Sequence, residues 1–165
     1  MPLPRRLAGL ALLAVLLLVL PPRPAPGQAV VELHLVMAFD ASASVNDVEY
    51  ELQRTGTALA FNDAEIRAAI AGAPGGIAVT VIQWASDNHQ AVALPWVLVR
   101  DHADIDALVA ALIVLPRQLP GGNTMIHGGL AFAAEQFAGA PGTARRQVID
   151  IAGNGHADNL GETHA

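Results

Sequence analysis

The sequence predicts a three-layer α/β fold: a mostly parallel sheet with one antiparallel edge strand and helices on both faces. Three observations predict it. Runs at residues 30–39, 77–84, 90–99 and 146–152 are apolar and rich in β-formers, and read as strands. Helical patterns follow the first and third runs, giving the order β-α-α-β-β-α-α-β. Strands separated by helices belong in a parallel sheet covered on both sides. The polar connection at residues 85–89 is short enough for a hairpin, so the two strands it joins are expected to be antiparallel.

In the first run Val31, Leu33, Leu35, Met37 and Phe39 alternate, with Glu32 and His34 on the other side. From Leu35 onward both faces are apolar, as in a central strand. His34 reads as a satisfied or half-exposed residue and not as a ligand. Asn46 or Asp47 caps the next helix. Its expected buried stripe is Val48, Leu52, Thr55 and Leu59. A short second helix starts at Asn62 or Asp63, with Ile66, Ala69 and Ile70 inward. Gly72, Pro74, Gly75 and Gly76 form a turn into the second strand. Trp84 and Trp96 are expected to pack in the core or at its edge.

Asp101 opens a helix whose early acids, Asp104 and Asp106, suit the helix dipole. Ile105, Leu108 and Leu112 form its buried stripe, and Pro116 closes the segment. Gly121-Gly122-Asn123-Thr124 is a glycine loop opening a helix with Ile126, Leu130, Ala133 and Phe137 on one face. Residues 139–142 break that helix. Gly153-Asn154-Gly155 follows the fourth strand. A sheet ending there is expected to continue with a further strand and helix, so residues 30–165 read as a domain incomplete at its C-terminus.

With 53% hydrophobic and 15% charged residues, the 165-residue chain can bury a core and is not of the disordered class. No cysteine is present, which excludes disulfides and thiolate zinc sites. Residues 1–29 are of a different kind. Arg5 and Arg6 precede an uncharged apolar run at residues 7–20, then a proline-rich stretch and small residues at 27–29. This is the pattern of a secretory signal peptide. The run is shorter than the roughly 20 residues a spanning helix needs. The mature protein is therefore expected to be secreted or periplasmic, without stable membrane insertion. Cleavage removes three of the nine arginines and leaves six against 15 acidic residues, a net charge of −9. That disfavours nucleic acid as a partner and is compatible with a cation site.

The chemistry concentrates in three loops at strand ends, where open α/β sheets bind ligands. Asp40-Ala41-Ser42-Ala43-Ser44 follows the first strand, Thr124 closes the glycine loop, and Asn154 follows the fourth strand. These are hard oxygen donors suited to Mg²⁺ or a similar cation. Hydroxyl ligands leave such a cation underneutralised, so an open position attracts a carboxylate from outside. Each residue also has a plainer reading. Asp40 and Ser42 suit a capped turn, and Ser44 and Thr124 suit helix N-caps.

These three motifs, in this order, resemble the metal-ion-dependent adhesion site of the von Willebrand factor A (vWA) domain. The resemblance spans residues 30–155 and implies a Rossmann-like vWA sheet. More narrowly, the chain resembles a family of secreted bacterial vWA-like proteins of unknown function. The resemblance implies that Ser42, Ser44 and Thr124 ligate Mg²⁺ or Mn²⁺ directly, and that Asp40 holds a metal-bound water and orients the serines. The last position, normally acidic in the family, is Asn154 here. One negative charge is lost, and weaker cation affinity is expected; Asp158 is a nearby acid. The implied function is non-enzymatic: binding of a protein partner through an exposed carboxylate. A metal-free scaffold is the alternative. A hydrolase using Ser42 as nucleophile, or zinc on His127, His156 and His164 near Asp158, finds no supporting motif.

Overall fold

The computed structural model describes residues 30–154. The element order is β1 (Val30–Asp40), α1 (Asp47–Asn62), α2 (Ala64–Gly72), β2 (Ile77–Trp84), β3 (Gln90–Val99), α3 (His102–Ile113), α4 (Ile126–Gln136) and β4 (Thr143–Ala152). The four strands form one sheet in the order β3-β2-β1-β4. β1 runs parallel to both neighbours, with Asp40 beside Trp84 and Phe39 beside Ala152. β3 is the antiparallel edge strand.

Two apolar layers cover the sheet. On one face Met37, Phe39, Val79 and Val81 pack with Tyr50 and Phe61 of α1, Ile70 of α2 and Ile105, Leu108 and Leu112 of α3. On the other face Val36, Ala38, Ile82 and Trp84 pack against Ala133, with Ile126, Phe132 and Phe137 partly covered. Three helices therefore lie on one side and α4 on the other, which is the expected three-layer arrangement. Tryptophan packing is also as expected. Trp84 is buried and donates from Nε1 to Ala38 O at 3.2 Å. Trp96 donates to Gln136 O at 3.1 Å.

Four expectations require correction. The inward face of α1 is not Val48–Leu52–Leu59, which are 67%, 64% and 70% exposed. Tyr50, Ala58 and Phe61 are buried instead. The cause is polar: Gln53 lies on the inward side and clasps Asp40, accepting from its N–H and donating to its C=O, both at 3.1 Å. Satisfying that backbone pair sets the rotation of the helix about its axis. On α2, Ile66 is 44% exposed and Ala69 is exposed; of the expected inward set only Ile70 is buried, with Ile66 and Ala69 flanking an apolar groove of about 470 Å³ beside β1. On α4, Leu130 is 40% exposed, because Gly129 and Ala133 meet the sheet; a Cβ at 129 would come within 2.8 Å of Trp84 Cγ. Finally, of the two readings of His34, satisfied or half-exposed, the second is overturned: the residue is buried and one ring nitrogen is bonded. Its ring lies 5.5 Å from that of Trp96 and Nε2 is 3.1 Å from Pro141 O, while Nδ1 has no hydrogen-bond partner among the described residues.

Candidate metal centre

The chain steps outward from β1 to β2 to β3, then crosses to the other side of β1 to form β4. The reversal lies between β1 and β4. In open α/β sheets this is where a crevice opens at the carboxyl ends of the strands. Because β1, β2 and β4 are parallel, the loops after all three leave at the same end.

Asp40 closes β1 and is fully buried. Its Oδ1 accepts from Ser42 N at 2.8 Å, which turns the chain sharply after the strand. Its Oδ2 is buried with no hydrogen-bond partner among the described residues. Gly153 passes so close that a Cβ there would stand 2.9 Å from this oxygen. The orphaned oxygen is a specific deficit, since buried carboxylate oxygens are ordinarily hydrogen-bonded.

The hydroxyls converge beside it. Ser42 Oγ lies 3.0 Å from Ser44 Oγ, and Thr124 Oγ1 donates to Ser42 Oγ at 3.2 Å. Ser42 and Thr124 are buried; Ser44 is exposed. Thr124 is delivered by the glycine loop. Gly121 and Gly122 have φ of 99° and 140°, values that L side chains rarely adopt. That backbone lets Gly122 O accept from Ala43 N at 2.8 Å and ties the two loops together. Asn123 N donates to Ser86 Oγ at 2.7 Å, adding the loop after β2. Asn154 reaches Ser44 on two atoms: Ser44 Oγ donates to its Oδ1 at 3.4 Å, and its Nδ2 donates to Ser44 O at 3.2 Å.

The capped-turn reading holds for Asp40 and Ser42, whose Oδ1–N bond shapes the turn after β1, but the helix-cap readings of Ser44 and Thr124 do not hold. Asn46 caps α1, with a full capping box: Asn46 Oδ1 accepts from Glu49 N at 3.0 Å and Glu49 Oε2 accepts from Asn46 N at 2.9 Å. The N-cap of α4 is Met125, with no side-chain cap bond. Neither Ser44 nor Thr124 caps a helix.

All five sequence-predicted residues, Asp40, Ser42, Ser44, Thr124 and Asn154, therefore belong to one cluster. The donor set is oxygen-only and includes one buried carboxylate, the chemistry that Mg²⁺ or Mn²⁺ prefers. Three residues escaped the sequence reading. Gln53 fixes Asp40 through its backbone. Arg117 grips the carbonyls of the Ser42 loop. Glu49 stands at the rim, its carboxyl held below the usual value first by the Asn46 backbone and then by a hydrogen bond with Asn154. Only Glu49 left a sequence signal, as the fourth residue of the Asn-x-x-Glu capping pattern. His127 is 3.4 Å from Asp87. His156, Asp158 and His164 lie outside the described residues, as does the 1–29 leader. Among the described residues, no three or more His, Cys, Asp or Glu side chains gather as metal ligands, and no helix is long and apolar enough to cross a membrane.

The family profile described as "Protein of unknown function (DUF1194)" matches residues 30–165. The chain belongs to the DUF1194 family. The strand order β3-β2-β1-β4 and the strand-end loops agree with the vWA-like resemblance drawn from the sequence. Comparison with curated proteins gives no match. Among solved structures, the chain is similar to the vWF domain of the type V pili tip protein Mfa5 from Porphyromonas gingivalis, at 20% identity and TM-score 0.49. The match covers 77% of this chain and 39% of that one. It is also similar to a structure of three N-terminal domains of the same pilus protein, at 20% identity and TM-score 0.45, over 73% of this chain and 19% of that one.

Proposed function

We propose that this DUF1194 protein is a secreted, non-enzymatic binding module whose Ser42–Ser44–Thr124 cluster holds Mg²⁺ or Mn²⁺ and engages a carboxylate on a protein partner. The single observation that carries the reading is that the three hydroxyls of Ser42, Ser44 and Thr124 converge in the loop cluster where Asp40, bonded to Ser42 N, keeps a buried Oδ2 with no partner among the described residues. A cation there supplies a positive point charge with room for an anionic group. Ser42, Ser44 and Thr124 would hold it. Asp40 keeps Ser42 in place through its N–H and offers its second oxygen to a bound water. Asn154 orients Ser44 and contributes no charge.

Asn154 also favours a second reading, a metal-free scaffold. Its amide already bonds the loop that a carboxylate would leave to the cation. One experiment separates the two. The purified protein is melted with Mg²⁺, with Mn²⁺ and with excess chelator. A ligand that binds only the native state at about 100 Kd stabilises it by about 2.7 kcal/mol. A cation-dependent rise in Tm, absent in Ser42→Ala, supports the adhesion-type site. A cooperative melt insensitive to cation and chelator supports the scaffold.

A further inference from the structure

Arg117 lies in the connection between α3 and the glycine loop, yet its side chain works on the loop after β1. Nη1 donates to Val45 O at 2.8 Å and approaches Asp47 Oδ1 at 3.4 Å. Nη2 donates to Ala41 O and to Ser42 O, both at 2.9 Å. The guanidinium carbon stands 5.8 Å from the centroid of the Tyr50 ring. The arginine's own backbone is stapled in turn. Gln83 Nε2 donates to Pro116 O at 2.7 Å, and Gln118 N donates to Gln83 Oε1 at 2.7 Å. The base of the clamp is therefore the buried Gln83 at the C-terminal end of β2, and its jaws are three loop carbonyls.

We infer that Arg117 is the positioning residue of the candidate cation site, fixing the Ala41–Val45 turn so that it presents hydroxyls and not carbonyls. The inference rests on the cation-binding reading above. Backbone carbonyls are themselves good ligands for hard cations. In this turn the carbonyls of Ala41, Ser42 and Val45 are committed to one guanidinium. The amides are committed too: Ser42 N to Asp40, Ala43 N to Gly122 and Val45 N to Ser42 O. With these backbone groups occupied, the Ser42 hydroxyl is left to meet Thr124 and the Ser44 hydroxyl to meet Ser42. The fork matters as well as the charge. A guanidinium offers five donors in one plane, whereas an ammonium is a point with three rotatable donors. Lysine at 117 keeps the charge but does not span three carbonyls.

The test compares wild type with Arg117→Lys, using calorimetric titration with Mg²⁺ well below both melting temperatures and amide hydrogen exchange without cation. Loss of an outer partner of this kind typically costs about 10- to 100-fold in metal affinity. The expected result is a folded Lys variant with affinity reduced on that scale. Exchange should be faster at Ala43 and Val45 and unchanged at Ala133 in α4. Wild-type affinity and wild-type loop protection in the variant would overturn the inference. So would a variant that fails to fold, since Arg117 would then be a structural residue only. Should wild type itself bind no cation, the functional reading falls alone: faster exchange confined to Ala43 and Val45 would still uphold the clamp, and unchanged exchange would remove it.

Discussion

Asn154 and Ser44 exchange two hydrogen bonds across 110 residues of chain, Oγ to Oδ1 and Nδ2 to the backbone carbonyl. An aspartate at 154 cannot donate, so it would keep the first bond and lose the second. Asn154→Asp is therefore expected to act in opposite directions in two buffers. Without cation it should lower stability by about 1 kcal/mol, the worth of one hydrogen bond. It also sets a second carboxylate beside Glu49, whose carboxyl now takes a hydrogen bond from Asn154. With Mg²⁺ it should raise affinity, because the cation gains a negative neighbour. Melting curves with and without Mg²⁺ decide this; an unchanged affinity would remove Asn154 from the site.

Tyr50 is the single tyrosine of the chain, which gives the buried polar network its own optical probe. Its hydroxyl accepts from Gln83 Nε2 at 2.6 Å and donates to Pro116 O at 3.3 Å. Burial pushes its pKa up to about 12, with Arg54 and Arg117 opposing. An unfolded tyrosine ionises near about 10. The raised folded value means that the native state keeps its proton where the unfolded state has lost it. Stability from Tyr50 should be full below about pH 10 and lost as pH rises through about 12. Absorbance titration at 295 nm, with Tyr50→Phe as the blank, checks the value. Ionisation near pH 10 in the folded protein would contradict it.

Two glycines should respond to alanine with opposite signs. At Gly129 a Cβ would stand 2.8 Å from Trp84 Cγ, so Gly129→Ala overpacks α4 against the sheet. A cost of about 1–3 kcal/mol is expected. At Gly56, within α1, nothing lies within 4 Å of the added carbon. Gly56→Ala should stabilise the protein by about 0.5–1 kcal/mol through helix propensity. Urea unfolding measures both, and equal signs would refute the packing described here.

The rotation of α1 can be tested in the same way. Leu52 is 64% exposed and Phe61 is 7% exposed. Leu52→Ala should change stability by less than about 0.5 kcal/mol, whereas Phe61→Ala should cost about 3–5 kcal/mol. The reverse ranking would restore the Val48–Leu52–Leu59 stripe as the buried face.

That stripe marks where sequence reading stopped working. The sequence of strands and helices, the Asn46 cap, the α3 stripe and the five residues of the cluster were all legible, because each depends on local spacing or on a motif at a strand end. α1 was misread because its apolar row lost to a polar demand. Gln53 must face inward to satisfy Asp40, and hydrophobic periodicity does not register one amide bonded to one peptide group. The burial of His34 escaped because its cover, Trp96 and Pro141, comes from residues far along the chain. Arg117 was invisible for a related reason. Its targets are carbonyls, which every residue possesses, 72–76 positions away.

The donors themselves are separated still more widely. Ser42 meets Thr124 across 82 residues, and Ser44 meets Asn154 across 110. In time rather than space, this makes the cluster a late event. Contacts of long sequence separation require loop closure first, and the Ser44–Asn154 contact also requires β4 beside β1. A chain nicked in β4 carries every oxygen donor yet loses the covalent tie that places Asn154 against Ser44. Cation uptake by this protein would therefore be a certificate of completed folding: only the finished sheet is able to sign it.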